Sequence, residues 1–112
     1  MCTKNQLHMI CEGVARDARR LLGDKLEAVI LYGSYARGDY DSESDVDIMV
    51  IVRCQTAELR QYRHMLAPTA SRLSLEHDVT VSVAMADTES LNRYGNHLPY
   101  YINVNREGIR IA

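Results

Sequence analysis

The chain has 112 residues, of which 46% are hydrophobic and 25% are charged, and this globular composition argues against a disordered chain or a disulfide scaffold. Its formal net charge of −2, with 13 basic residues spread among 15 acidic ones, does not suggest a protein that coats duplex nucleic acid. Its apolar runs are too short for a membrane span and its N-terminus lacks a signal-peptide pattern, so we expect one cytoplasmic domain over residues 1–112.

The first predicted elements are a helix and a strand. From Asn5 to Leu22 the apolar residues recur at steps of three and four, which is the stripe of an amphipathic helix, and Gly23 is its expected C-cap. The segment from Glu27 to Tyr32 is short, partly β-branched and followed by Gly33, which predicts a buried strand.

A second strand is predicted from Asp45 to Val52 because its residues alternate between two faces. One face carries only β-branched apolar residues, namely Val46, Ile48, Val50 and Val52. The other face begins with two carboxylates and continues with apolar side chains, namely Asp45, Asp47, Met49 and Ile51.

The C-terminal half contains the patterns of a helix and a strand, followed by a segment whose periodicity is less regular. Helical spacing runs from Thr56 to about Leu75, and Pro68 is expected to kink or split that helix. Asp78 to Ala84 alternates as a third strand. Further elements are a possible helix from Glu89 to Asn105 and an extended edge from Ile109 to Ile111. Alternating strands and helices give an α/β or α+β fold around a small mixed sheet.

The residues that carry chemistry lie between the first two strands. Residues two apart in a strand project to the same face, so Asp45 and Asp47 are expected to share one site. Two like charges at about 4 Å repel by roughly 4 kcal/mol at an effective dielectric constant near 20, and a bound divalent cation would keep both ionised. Oxygen donors alone favour magnesium or manganese over zinc.

The other end of the same loop has residues that suit a phosphate. Gly33 directly after a strand allows a sharp turn that brings backbone N–H groups close to an anion, and Ser34 adds a hydroxyl. Arg37 is positioned to reach a phosphate oxygen, although it could equally pair with a loop carboxylate. A loop that attracts an anion at one end and a cation at the other is typical of a site for a metal–nucleoside triphosphate.

A two-metal site usually has a third carboxylate, and Asp78 is the best candidate because it begins the third strand. If that strand lies beside the second, Asp78 would bind metal together with Asp45 and Asp47 and could accept the proton of the attacking hydroxyl. A Gly-Ser pair and an Asp-x-Asp at one fixed separation occur together by chance in roughly one chain per thousand of this length.

These motifs resemble the signature of the DNA polymerase β nucleotidyltransferase superfamily. The resemblance rests on Gly33-Ser34, a ten-residue spacer that contains Ala36-Arg37-Gly38, and the run Asp45-Val46-Asp47-Ile48-Met49-Val50. The tail from Tyr100 to Ile109 is similar to the way such domains end, and the short length resembles the minimal members.

The resemblance implies a polymerase β-like fold and transfer of a nucleoside monophosphate from an NTP to a hydroxyl. It implies two magnesium ions held by Asp45, Asp47 and Asp78, and a triphosphate held by Gly33 and Ser34. Minimal nucleotidyltransferases of this kind act as antitoxins that transfer AMP from ATP to a tyrosine of a HEPN-domain ribonuclease. The resemblance therefore predicts protein AMPylation with a HEPN-type partner.

Three other interpretations remain open from the sequence. The acidic loop could be a solvated turn, whereas an EF-hand that starts at Asp39 would want glycine at Ser44 and glutamate at Val50. Tyr35 and Tyr40 could stack on a base or simply pack in the loop. The whole chain could be a non-catalytic module that binds nucleotide or neutralises a partner, or a transferase to a small-molecule or RNA hydroxyl.

Overall fold

The computed structural model describes residues 3–94 and 108–112. Two short 3₁₀ turns span Gly23–Lys25 and Thr56–Glu58. The helices and strands follow in the order α1 (Lys4–Leu22), β1 (Leu26–Tyr32), α2 (Ser34–Arg37), β2 (Val46–Val52), α3 (Leu59–His77), β3 (Val81–Asp87), α4 (Thr88–Tyr94) and β4 (Ile109–Arg110). The predicted helix beyond Tyr94 and most of the tail from Tyr100 to Ile109 lie outside the described residues.

The four strands form one mixed sheet in the order β3-β2-β1-β4. β1 pairs antiparallel with β2 on one side and with β4 on the other, while β2 and β3 run parallel. Parallel neighbours need a crossover, and α3 provides it. The predicted mixed sheet flanked by helices is confirmed, and so is the predicted extended edge near the C-terminus.

One face of the sheet is covered by α1 and α3. The predicted apolar stripe of α1 packs there against the β-branched face of β2, and the buried cluster includes Ile10, Val14, Ala18, Val29, Val46, Ile48, Val50, Val52, Leu66, Leu73 and Val81. Alternate residues of the strands turn to the second face, where Ala28, Met49, Ile51 and Ala86 form a smaller buried cluster. In residues 3–94 and 108–112 no helix is both long and apolar enough to cross a membrane.

A buried carboxylate joins the two helices on the covered face. Asp17 of α1 is 3% exposed and accepts a 2.7 Å hydrogen bond from the Thr69 hydroxyl of α3. Arg72 lies 3.2 Å from the same oxygen of Asp17. Burial by itself raises the pKa of Asp17, but the Thr69 hydrogen bond and the Arg72 charge outweigh it, so the pKa is lowered. The α1–α3 interface thus buries Asp17 together with hydroxyl and cationic partners that stabilise its charged form.

Helix α3 continues through Pro68, so the predicted split at this residue is wrong. Proline removes the hydrogen bond that a residue at this position would donate to the carbonyl four residues earlier, at His64. His64 and Pro68 both lie on the exposed side of the helix, where water can satisfy that carbonyl. Leu66 and Leu73 pack into the core on the opposite side and hold the helix together across the proline.

The third strand begins three residues later than predicted. Helix α3 extends to His77, and Asp78 is its left-handed C-cap with φ 51° and a backbone N–H that donates to the Ser74 carbonyl. The Ser74 hydroxyl then accepts a 2.9 Å hydrogen bond from the backbone N–H of Val81, the first residue of β3. The alternation from Asp78 onward is real, but helix capping uses its first residues, so the prediction that Asp78 begins the strand is wrong.

Candidate active site

The turn between β1 and α2 places a carboxylate against a glycine. Gly33 has φ +76°, a backbone conformation that L side chains rarely adopt. A Cβ atom at Gly33 would lie 2.5 Å from Oδ2 of Asp47, closer than real Cβ contacts. Asp47 of β2 stands opposite Tyr32, the residue before Gly33. Glycine is thus needed at position 33 for the turn and also for the space that the Asp47 carboxylate occupies.

Helix α2 is a single turn between two glycines. The backbone N–H groups of Ala36 and Arg37 both donate to the Gly33 carbonyl at 3.1 Å. The Ser34 carbonyl accepts from Gly38 at 2.9 Å, and Gly38 is the left-handed C-cap. Ser34 is half-buried at the start of this turn, directly after the contact between Gly33 and Asp47. The predicted phosphate-loop residues Gly33, Ser34 and Arg37 therefore lie within one compact turn beside β2.

Asp47 lies near the start of β2 and Asp45 directly precedes that strand, at the end of the sheet next to this turn. Val46 between them is fully buried, while Asp47 is half-buried and Asp45 is exposed. Burial raises the pKa of Asp47, repulsion from the Asp45 charge raises it further, and the Arg37 charge partly lowers it. The two carboxylates thus interact electrostatically, with Arg37 near enough to act on Asp47. The role of the two carboxylates as one metal site stays a prediction.

Arg37 also interacts within its own loop. Its Nε atom lies 3.1 Å from Oδ2 of Asp39, and both side chains are largely exposed. An exposed ion pair of this kind contributes little to stability and exchanges readily with another anion. Arg37 therefore pairs with a loop carboxylate, as one of the two interpretations predicted, and it also acts on Asp47 through its charge.

The acidic loop is organised as a turn. The carboxylate of Asp41 accepts hydrogen bonds from the backbone N–H of Glu43 at 2.8 Å and from the Ser44 hydroxyl at 3.3 Å, as a turn-forming aspartate does.

The Tyr35 and Tyr40 rings stack on each other with centroids 4.4 Å apart, and Tyr35 is 5% exposed. The loop-packing interpretation of these tyrosines is confirmed.

The expected third carboxylate does not join the pair. Asp78 is an exposed helix cap outside β3, and the residue of β3 beside Asp47 is Ser82. Within residues 3–94 and 108–112 no three histidine, cysteine, aspartate or glutamate side chains come together in a way that could hold a metal ion. The prediction that Asp78 shares a metal site with Asp45 and Asp47 is therefore not supported by the structure.

Two further polar positions escaped the sequence analysis. Asp87, at the end of β3, is 2% exposed and accepts 2.8 Å hydrogen bonds from the Thr56 hydroxyl and the Ser90 backbone N–H, so it caps α4. The run Asp87-Thr88-Glu89-Ser90 before a helix is a recognisable capping signal. Ser82 lies within the predicted third strand, but only the strand register shows that it is the neighbour of Asp47.

The remaining donors suit a cation that arrives with a nucleotide. Magnesium in proteins is commonly held by one or two carboxylates, with water and substrate phosphates as the other ligands. Asp45 and Asp47 supply two carboxylates, and the absent side chain of Gly33 leaves room for the Asp47 carboxylate beside the glycine–serine turn. The donor set thus fits a divalent cation, without a complete all-protein cage among the described residues.

Comparison with models of protein families identifies the family to which this domain belongs. The model of a nucleotidyltransferase domain matches residues 11–105, which include both strands of the candidate site. The chain belongs to the nucleotidyltransferase domain family. The resemblance drawn from the Gly-Ser and Asp-x-Asp motifs is confirmed. Nucleotidyltransferases are enzymes, so the chain belongs to an enzyme family.

One curated relative is similar to more than half of the chain. "Putative protein adenylyltransferase MJ0141" of Methanocaldococcus jannaschii is 46% identical over 67 residues, which are 60% of this chain and 66% of that protein. The similarity thus spans slightly less than two thirds of the relative's length.

Solved structures share the fold at low sequence identity. A crystal structure of a toxin–antitoxin with AMP-PNP matches with a TM-score of 0.58 and 18% identity, over 91% of this chain and 72% of that one. A structure of tri-AMPylated Shewanella oneidensis HEPN toxin in complex with MNT antitoxin matches with a TM-score of 0.52 and 16% identity, over 95% of this chain and 71% of that one. These likenesses establish the nucleotidyltransferase fold.

Proposed function

We propose that this nucleotidyltransferase transfers AMP from ATP to a tyrosine hydroxyl of a HEPN-type partner and so acts as its antitoxin. The observation that carries the proposal is the packing of the Asp47 carboxylate against Gly33, because it joins the Asp45–Asp47 pair to the glycine–serine turn in one site. In the reaction the acceptor oxygen bonds to the α-phosphorus, the bond from that phosphorus to pyrophosphate breaks, and the hydroxyl proton is released.

In this proposal the carboxylates of the site bind the cation, and the turn and Arg37 bind the triphosphate. Asp45 and Asp47 would hold a divalent cation, magnesium or manganese, against the triphosphate, and Gly33 and Ser34 would lie along the triphosphate. When bound, that cation neutralises phosphate charge and aligns the reacting groups. Arg37 is exposed, and its ion pair with Asp39 can be exchanged for one with a phosphate oxygen. ATP as the donor is consistent with the expected cytoplasmic location.

The choice of acceptor is supported by the relatives. A relative carries the name of a protein adenylyltransferase, and structural neighbours include a toxin–antitoxin with AMP-PNP and a tri-AMPylated HEPN toxin with its MNT antitoxin.

The test is to incubate the purified chain and its co-purifying partner with magnesium and each labelled NTP in turn, and to measure intact masses. We expect the partner to gain one or more AMP masses from ATP. Asp45→Asn should reduce the initial rate of gain by at least about a hundredfold, since one carboxylate of the pair becomes neutral. Asp24→Asn, which removes an exposed aspartate outside the site, should leave the rate unchanged.

Other outcomes identify the remaining alternatives. If the partner gains no mass although ATP binds in the presence of magnesium, protein AMPylation is wrong for this partner, and small-molecule or RNA hydroxyls become the acceptors to test. If Asp45→Asn still neutralises the partner as well as the unaltered chain does, the chain acts by binding and the proposed catalytic antitoxin function is wrong.

A further inference from the structure

A row of three side chains crosses the sheet at the candidate site. Tyr32 of β1 pairs with Asp47 of β2, and Asp47 in turn is in register with Ser82 of β3. Residues paired in this way lie on the same face of a sheet. Ser82 is exposed, and the residues two and four positions after it, Ala84 and Ala86, lie on the second face together with Met49.

Ser82 therefore stands where a third donor would complete the carboxylate pair. The register places it directly beside Asp47, whereas Asp78 is four residues earlier in the left-handed cap of α3. Its hydroxyl is neutral, so it can contact a cation or a water bound to that cation but adds no negative charge. The described part of the chain brings no other acidic group to the pair to form a metal-binding cluster of three.

We propose that Ser82 is the third side chain of the Asp45–Asp47 site, and that its neutral hydroxyl makes divalent cation binding depend on the triphosphate. With two anionic donors the site binds a cation weakly by itself. With ATP present, phosphate oxygens supply the missing negative ligands and the same cation binds firmly. This inference rests on the proposed function, because it assigns a residue to the cation of that same site.

A charge substitution tests the position of Ser82. Mn²⁺ binding is measured by electron paramagnetic resonance of the free ion, without nucleotide and with AMP-PNP, on the full chain. Ser82→Asp should bind Mn²⁺ without nucleotide at least about tenfold more tightly than the unaltered chain, since a third carboxylate then joins the pair. Ser71→Asp is the matched control, because Ser71 is an exposed serine on α3, which covers the opposite face of the sheet.

A second variant covers the case in which Ser82→Asp fails to fold. Ser82→Cys is nearly isosteric and introduces a soft sulfur donor, so the ratio of Cd²⁺ to Mn²⁺ affinity should increase at least about tenfold relative to Ser71→Cys. The native cysteines are the same in both variants and cancel in the comparison. Adding Asp47→Asn to either Ser82 variant should abolish its gain.

The inference is overturned if Ser82→Asp binds Mn²⁺ no more tightly than Ser71→Asp and Ser82→Cys shows no change in cation preference. It is also overturned if the unaltered chain binds Mn²⁺ equally tightly with and without AMP-PNP. These measurements need no transfer reaction. AMP transfer without the Ser82 effects would therefore refute this inference alone, and the Ser82 effects without AMP transfer would refute the proposed function alone.

Discussion

Oδ2 of Asp47 occupies the space that a side chain at residue 33 would fill, and Gly33 is therefore part of the carboxylate site as well as of the turn. The two residues are brought together because Asp47 pairs with Tyr32 across β1 and β2, one residue before the turn. A glycine that follows a strand thus controls where a carboxylate on the next strand can lie. This relationship allows a test that distinguishes backbone strain in the turn from the contact between residue 33 and Asp47.

Gly33→Ala should abolish nucleotide binding and cost about 1–2 kcal/mol of unfolding free energy, because the added Cβ both strains the backbone and displaces the Asp47 carboxylate. Gly38→Ala is the matched control, since Gly38 also has a positive φ of +86° but has nothing within 4 Å of an added Cβ. It should cost less stability, because an alanine there meets only left-handed backbone strain and no clash, and it should retain binding. Chemical denaturation and Mg²⁺–AMP-PNP titration measure the two effects, and equal loss of binding in both variants would contradict the contact.

Asp47→Asn should stabilise the cation-free protein more at pH 7 than at about pH 3.5. Burial and the nearby Asp45 raise the pKa of Asp47 in the folded chain above its unfolded value. For an acid with a raised pKa, the stabilising contribution is present at low pH and is lost as the pH rises through the folded pKa. Asparagine has no such loss, so its advantage grows toward neutral pH.

Denaturant unfolding at the two pH values measures this difference, and Asp24→Asn measures the effect of removing an exposed aspartate elsewhere. In the presence of excess Mg²⁺ and AMP-PNP the order should reverse, because only the chain with both carboxylates gains binding free energy. An advantage of Asp47→Asn that is larger at acidic pH would show that Asp47 is not held in a repulsive site.

Thr69→Val should lower the unfolding free energy by about 1–3 kcal/mol, because it removes the hydroxyl that donates to the buried Asp17 and leaves that carboxylate short of a partner. Ser71→Ala, which removes an exposed hydroxyl from the same helix, should change it by less than about 0.5 kcal/mol. Urea unfolding measures both variants. AMP transfer at a temperature where both are folded should be unchanged, and a selective loss of transfer by Thr69→Val would mean that the α1–α3 interface affects the site.

Asp87→Ala should lower the unfolding free energy at pH 7 by about 1–2 kcal/mol, because Asp87 caps α4 and binds Thr56. Burial raises its pKa, but the hydrogen bonds from the Ser90 backbone N–H and the Thr56 hydroxyl outweigh this effect and lower the pKa overall. The stabilisation is therefore present above the unfolded pKa and is lost as the pH falls through the folded pKa.

The cost of Asp87→Ala should accordingly shrink on acidification below about pH 4, the region of the unfolded aspartate pKa. Asp87→Asn keeps a side-chain acceptor for the cap and should cost less than the alanine substitution at pH 7. Thermal unfolding across the pH range measures all three proteins. A cost that is the same at every pH would indicate that the carboxylate charge does not contribute to the cap.

Local periodicity was enough to predict the elements that carry the motif. The two-residue repeat of β2 separates Asp45 and Asp47 from the buried valines, and the three- and four-residue repeat of α1 marks its apolar side. Both patterns depend only on backbone geometry, which is the same wherever such an element occurs. The glycine–serine turn was predictable for the same reason, because few residues other than glycine tolerate φ +76°.

The sequence by itself thus predicted the strand–turn–strand motif, the placement of its two aspartates at one end of the second strand and the membership of the nucleotidyltransferase family. Only the tertiary structure decided which residue of β3 lies beside Asp47, because register depends on where α3 ends and on how two strands distant in sequence align. Because Asp78 caps α3, β3 begins three residues later than predicted. Ser82 therefore lies at the position beside Asp47 where a carboxylate was expected. The buried position of Asp17 was likewise decided by the packing of α1 on α3, since the sequence of one helix does not specify the partner that can satisfy its charge.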